Sequence, residues 1–207
     1  MREESINLRS HGRFEQSYSE AIDASGKATR FDKAGVFACE PDGGDYDVAP
    51  TLLHYMSTII TQLPPMLNEN WDAQTDYSIS NAAFNAKLAV TSSGGSGYPL
   101  HIDNPQGLTV GDTRKLTFIL YLNPSHSPSQ GGDLVLHLRD GVKVSVPPAG
   151  GSAVAFWSDC IPHSVMETSK EMEGEEYDRY AITIWLPTDD IRMIHDPASP
   201  FAGLKLD

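Results

Sequence analysis

The stretch Tyr98-Pro-Leu-His-Ile-Asp-Asn-Pro105 sets an imidazole and a carboxylate two residues apart within an otherwise apolar run. Side chains of an extended chain alternate with period two, so His101 and Asp103 share one face while Leu100 and Ile102 turn to the other. One strand would then supply two ligands to a metal ion. A third is expected from Phe156-Trp-Ser-Asp-Cys-Ile-Pro-His-Ser-Val165, where His163 follows a second apolar, strand-like run. Two neutral imidazoles and one carboxylate form the facial set that leaves positions open on Fe(II) and suits dioxygen chemistry.

Around these two segments the chain alternates short apolar runs with Gly, Pro, Asn and Asp. The expected strands are Lys87 to Thr91, Tyr98 to Asp103, Lys115 to Tyr121, Leu134 to Leu138, Lys143 to Val146, Ala153 to Trp157, His163 to Glu167 and Tyr180 to Leu186. That spacing predicts a mainly β fold with supporting helices: a double-stranded β-helix, the cupin-like jelly roll, with a cavity between its two sheets. One helix is expected from Leu52, Met56, Ile59, Ile60 and Leu63, with Pro50 in its first turn and Pro64-Pro65 ending it. His54 and Tyr55 on that helix read as structural. Residues 1 to 30 are polar, Ala21 to Arg30 reads as a flexible loop or hairpin tip, and Gly35 to Cys39 reads as a short strand broken by Pro41 to Asp45.

At 207 residues the chain fits a single domain, 1–207, with a catalytic core over about 30–187. A net charge of −13 and a pI near 4.8 disfavour nucleic acid and anionic membrane as partners. No apolar segment approaches the ~20 residues that span a bilayer. Met1 to Ser5 lacks the apolar core of a signal peptide, and there are only two cysteines, Cys39 and Cys160. A cytoplasmic or nuclear protein with reduced thiols is the expectation.

A second group of residues points into the same cavity. In Arg179-Tyr-Ala-Ile-Thr-Ile-Trp185, alternation puts Arg179, Ala181, Thr183 and Trp185 on one face and Tyr180, Ile182 and Ile184 on the other. In the strand from Lys115, Thr117, Ile119 and Tyr121 oppose Leu116, Phe118 and Leu120. An inward arginine needs an anion, and Arg179 could grip a carboxylate in bidentate fashion while the Tyr121 hydroxyl donates to it.

These residues belong to a longer ordered set: Arg30-Phe-Asp-Lys33, Gly97-Tyr98, His101-Ile-Asp103-Asn-Pro, Tyr121-Leu-Asn123, Gly131-Gly-Asp-Leu134, Phe156-Trp-Ser-Asp159, Pro162-His163 and Arg179 to Trp185. From about Arg30 to Leu186 the chain resembles the 2-oxoglutarate and Fe(II)-dependent oxygenases. Within them it resembles the prolyl 4-hydroxylases of the type that modify hypoxia-inducible factor. The resemblance implies that His101, Asp103 and His163 hold Fe(II), that Arg179 and Tyr121 hold the distal carboxylate of 2-oxoglutarate, and that Thr183 is a supporting hydroxyl. It also implies dioxygen as co-substrate, ascorbate as a supportive reductant, and a protein or peptide substrate with a target proline.

The carboxylate at Asp103, where an alanine or glycine would leave room for halide, points to hydroxylation. The chain departs from the family in the acidic Lys170 to Asp178 segment, read as a solvated loop bordering the opening and attracting basic peptide residues. It departs again in the small residues Thr91-Ser92-Ser93, near which such enzymes carry a tyrosine, and in a short N-terminal region. A mobile finger over the peptide is expected at Ala21 to Arg30. The same iron chemistry on another residue or a small molecule is the alternative function, and an inactive jelly-roll binding module is a third. His11, His126, His137 and His195 have no partner at ligand spacing, and Cys160 reads as structural because thiolate ligation would favour zinc or copper.

Overall fold

The computed structural model describes residues 1–22, 28–71 and 78–194, with backbone alone for 19–22 and 28–32. Helix α1 (Arg2–Ser10) leads into a hairpin of β1 (Glu15–Ile22) and β2 (Ala28–Cys39), and then into α2 (Pro50–Asn70). Eight strands follow: β3 (Asn85–Thr91), β4 (Tyr98–His101), β5 (Arg114–Tyr121), β6 (Leu134–His137), β7 (Lys143–Val146), β8 (Ala153–Trp157), β9 (His163–Val165) and β10 (Arg179–Pro187). They form two antiparallel sheets, one ordered β1-β2-β3-β10-β5-β8 and the other β4-β9-β6-β7. This is the double-stranded β-helix that the spacing predicts.

Strand β10 lies at the centre of the larger sheet, between β3 and β5, and its alternation builds both sides. Tyr180, Ile182, Ile184 and Leu186 face the helices and pack with Leu88, Val90, Leu116, Leu120, Leu52 and Met56. Each fully buried aliphatic there contributes about 1.5–3 kcal/mol. The opposite face, through Ala181 with Ile119 and Tyr121, meets Leu134, Leu136 and Phe156 between the sheets. The functional cavity opens beside this second cluster.

The N-terminal third departs from expectation. Residues 2–10 form a helix that no apolar stripe announces, since Leu8 and Ser5 are its only buried residues. Charged side chains attach it instead. The Glu4 carboxylate accepts from Thr51 N (3.1 Å) and Leu52 N (2.7 Å) at the start of α2, where the N-cap Ala49 offers no side-chain acceptor. Arg2 donates to Asn123 Oδ1 and to the carbonyls of Glu175, Glu176 and Asp178. Arg9 meets the buried Asp178 carboxylate at 2.6 Å. The loop expected over residues 21–30 belongs largely to the β1–β2 hairpin, whose tip, 23–27, lies outside the described residues, as does His195.

Helix α2 runs through Pro64 and Pro65 to Asn70, five residues beyond the expected stop. Those prolines remove helical donors to the carbonyls of residues 60 and 61, but burial of Pro64 and packing of Leu63, Leu67 and Trp71 on the core hold the last turns in place. Three strands end earlier than the alternation suggests, β4 at His101, β6 at His137 and β9 at Val165.

Candidate active site

The three expected ligands converge, although Asp103 lies just past the end of β4. His101 ends that strand, and Asn104 fixes the turn after it by donating to Asp112 O and Arg114 O while its side-chain oxygen accepts from Gly107 N. His101 Nε2 lies 3.6 Å and His163 Nε2 3.7 Å from Asp103 Oδ1. Cross-strand pairing of β4 with β9 puts His101 opposite His163, with ring centroids 4.2 Å apart. One ligand atom from each of the three residues lies within 4.8 Å of the others.

The orientation of each group is set by its neighbours. His101 Nδ1 lies 2.9 Å from Pro99 O, and His163 Nδ1 lies 3.1 Å from Ile161 O. A carbonyl only accepts, so each ring donates from Nδ1 and turns its Nε2 toward Asp103. Asp103 is held as firmly. Its Oδ2 accepts from Thr117 Oγ1 (2.7 Å) and Trp185 Nε1 (2.9 Å), which leaves Oδ1 for the histidine side.

Burial alone would raise the Asp103 pKa, but the His101 contact, the nearby His163 and the Trp185 and Thr117 hydrogen bonds hold it well below the usual carboxylate range. Burial lowers the pKa of His163, with His101 adding to the effect and Asp103 opposing it, so the imidazole is neutral near pH 7. A charged carboxylate beside two imidazole Nε2 atoms is the donor set that suits a divalent iron.

The triad opens into a cavity of about 170 Å³ that Arg179, Thr183, Trp185, Lys33, Lys87 and Tyr98 help to line. Arg179 is buried, its Nε donates to Gly132 O (3.0 Å), and its guanidinium lies 5.0 Å from the centre of the Tyr121 ring. Gly132 (φ +76°) makes room for it, because a Cβ there would come 3.2 Å from Arg179 Cδ. Among the described residues no carboxylate pairs with Arg179. The Tyr121 hydroxyl is buried without a hydrogen-bond partner. Burial raises its pKa, with Arg179 pulling the other way, and the phenol stays protonated as a donor. A guanidinium without an acid and a hydroxyl without an acceptor form a cradle that fits an incoming carboxylate, and the triad donors fit Fe(II).

Among the described residues only His101 and His163 join the triad. The partly buried His126 sits in the loop after β5, with Nε2 3.9 Å from Asp133 Oδ1, while His11 and His54 are exposed. Cys160 is not among the cavity residues, and burial pushes its thiol up to about 11. The acidic segment is not simply solvated: Asp178 is buried against Arg9 and Ser93. Glu176 lines a separate cavity, and none of Glu171, Glu173, Glu175 and Glu176 lines the triad's, so the segment does not border the opening as expected. Alternation had put Thr117 and Trp185 on the cavity face without giving them a task. Lys33 entered the sequence reading only as the end of the Arg30-Phe-Asp-Lys33 motif and Lys87 only as the first residue of an expected strand, neither with a place in the cavity.

Residues 86–187 match the model of the 2OG-Fe(II) oxygenase superfamily. Egl nine homolog 1 of Rattus norvegicus is 32% identical over 108 residues, 51% of this chain and 29% of that protein. Prolyl hydroxylase EGLN3 of Homo sapiens is 32% identical over 103 residues, 48% of this chain and 38% of that one. The chain thus spans well under half the length of these curated relatives. A prolyl hydroxylase solved in complex with a hypoxia inducible factor oxygen degradation domain peptide fragment from Trichoplax adhaerens superposes with TM-score 0.66 at 26% identity, over 91% of this chain and 77% of that one. A Pseudomonas putida prolyl-4-hydroxylase shares the fold, with TM-score 0.63 at 24% identity over 89% and 82%. The similarity to the 2OG-Fe(II) oxygenase superfamily thus runs through residues 86–187, just under half of the chain.

Proposed function

We propose that this chain is a 2-oxoglutarate- and Fe(II)-dependent dioxygenase that hydroxylates proline in a protein or peptide substrate. One observation carries the reading: a preorganised His101–Asp103–His163 set shares a cavity with a buried arginine that pairs with no carboxylate among the described residues and lies 5.0 Å from the ring of Tyr121, whose hydroxyl has no hydrogen-bond partner. The choice of proline rests on the prolyl hydroxylases among the similar proteins.

In this mechanism His101 Nε2, Asp103 Oδ1 and His163 Nε2 would hold the metal. Arg179 and Tyr121 hold the distal carboxylate of 2-oxoglutarate, with Thr183 a further hydroxyl on that wall, so that the keto-acid end points toward the triad. Held there, Fe(II) would supply the dioxygen chemistry, in which oxidative decarboxylation of 2-oxoglutarate to succinate and carbon dioxide takes one oxygen atom of O₂ and a substrate C–H bond receives the other. The chain's part is orientation and exclusion of water: Thr117 and Trp185 fix Asp103, two carbonyls fix the imidazole tautomers, and apolar Ile119, Leu134 and Val165 wall the space. Ascorbate would sustain repeated turnover, and the compartment consistent with the thiol-poor sequence is cytoplasmic or nuclear.

The test is succinate formation from 2-oxoglutarate and Fe(II), with mass spectrometry of proline-containing peptides for a gain of one oxygen. His163→Ala should abolish both. Succinate formation by that variant at the wild-type rate would remove the triad from the mechanism.

A further inference from the structure

Two ammonium groups converge on the cavity in a chain whose acids outnumber its lysines and arginines 28 to 15. Lys33, on β2, lies with Nζ 4.7 Å from the centre of the Tyr98 ring, and that ring is 6.2 Å from the ring of His101. One aromatic ring therefore separates this charge from a proposed iron ligand. Lys33 has no acidic partner among the described residues. Lys87, on β3, stands opposite Thr183 of β10, and among the described residues its ion pair is with Glu40 at 3.7 Å, where the two side chains are 47% and 73% exposed. Such a pair is worth little and yields readily to a better-placed anion.

The charges deeper in the cavity are already spoken for. Asp103 with a divalent metal leaves one positive charge, Arg179 adds another, and the two carboxylates of 2-oxoglutarate neutralise both. Lys33 and the weakly paired Lys87 remain for another anion, and the strand order puts them on the side of the cavity away from β5 and β8. A co-substrate already held by Arg179 leaves these two charges facing whatever enters next. Lys33 is partly buried and Lys87 exposed, and two like charges lining one cavity repel each other, a repulsion that an anion between them relieves.

We propose that Lys33 and Lys87 are specificity-determining residues that select a peptide with an Asp or Glu side chain flanking the residue presented to the iron. The inference rests on the peptide-hydroxylase reading above and names its substrate class, reversing the preference for basic residues that the acidic 170–178 segment suggests. Over the whole surface the protein's negative charge repels such a peptide, but beyond a screening length of about 8 Å that repulsion is largely lost at physiological salt, while the lysines act at contact distance.

Fluorescently labelled peptides with a single proline flanked by Asp, by Ser or by Lys, titrated into protein loaded with Mn(II) and 2-oxoglutarate, test this by anisotropy without turnover. The wild type should bind the Asp peptide about tenfold more tightly than the Lys peptide, with the Ser peptide between. The spread should collapse in about 1 M salt, where the screening length is about 3 Å. In the Lys33→Gln, Lys87→Gln double variant the preference should disappear, and in the double Glu variant it should invert. Equal binding of the three peptides by the wild type, or a preference that survives in the Gln variant, would overturn the inference. So would a large loss of 2-oxoglutarate affinity in the Gln variant with peptide preference intact, because the ammoniums would then serve the co-substrate. Wild-type protein that fails to form succinate at all removes the underlying function as well. Normal succinate formation with indifference to peptide charge removes this inference alone.

Discussion

At the scale of single residues, the site separates groups that support the fold from groups held ready for a ligand. The Tyr121 hydroxyl is buried and unpartnered, so Tyr121→Phe removes a polar atom that gains nothing in the free protein. Its denaturation midpoint should stay level or rise, while the KM for 2-oxoglutarate rises about tenfold, the scale of one hydrogen bond to a charged group. A loss of stability with unchanged KM would place the hydroxyl in the core instead. Trp185→Phe deletes one of the two donors on Asp103 Oδ2 and should weaken Mn(II) binding by about 10- to 100-fold in a calorimetric titration. Cys39, whose thiol burial pushes up to about 12, and Cys160, at about 11, should both resist alkylation in native protein at pH 8, because only a small fraction is thiolate there. The triad and Arg179 were legible in the sequence because residue type and spacing carry them. The tasks of Thr117 and Trp185 were not, since they depend on which oxygen of Asp103 each one takes.

At the scale of elements, legibility followed periodicity. Strands β5 and β10 alternate cleanly, and both faces assigned from sequence match the two packed clusters. Helix α1 was missed because Leu8 is its one buried large apolar side chain and its attachments are charges meeting residues more than forty positions away. Those attachments lead to a prediction. Asp178 is buried, Arg9 is its charged partner, and the next residue is Arg179. Arg9→Ala should therefore cost about 3 kcal/mol in urea denaturation, the scale of a buried carboxylate losing its cation, and should raise the KM for 2-oxoglutarate more than it lowers kcat. Helix α2 was cut short in the sequence reading because proline ordinarily ends a helix, and here tertiary packing overrides that preference. Pro65, less buried than Pro64, should be replaceable by alanine with a gain of about 1 kcal/mol as a helical donor to residue 61 returns. A loss there would mean that the proline ring packs more than it strains.

At the scale of the whole molecule, the two sheets meet through apolar side chains that owe nothing to a metal. Chelation should leave the far-ultraviolet circular dichroism unchanged, whereas Mn(II) at about a hundred times its dissociation constant should add about 2.7 kcal/mol of stability. Unfolding on chelation would contradict a cavity formed in advance by the packing. The tautomer lock has a practical side. With both Nδ1 atoms tied to backbone carbonyls, the cavity offers two oriented imidazole nitrogens and one carboxylate oxygen to any first-row dication, and such donors favour nickel and copper over ferrous iron. Protein eluted from a nickel affinity resin would then carry the wrong ion in a site that looks and melts like the loaded one. An inactive preparation would report on its purification history before it reported on its chemistry.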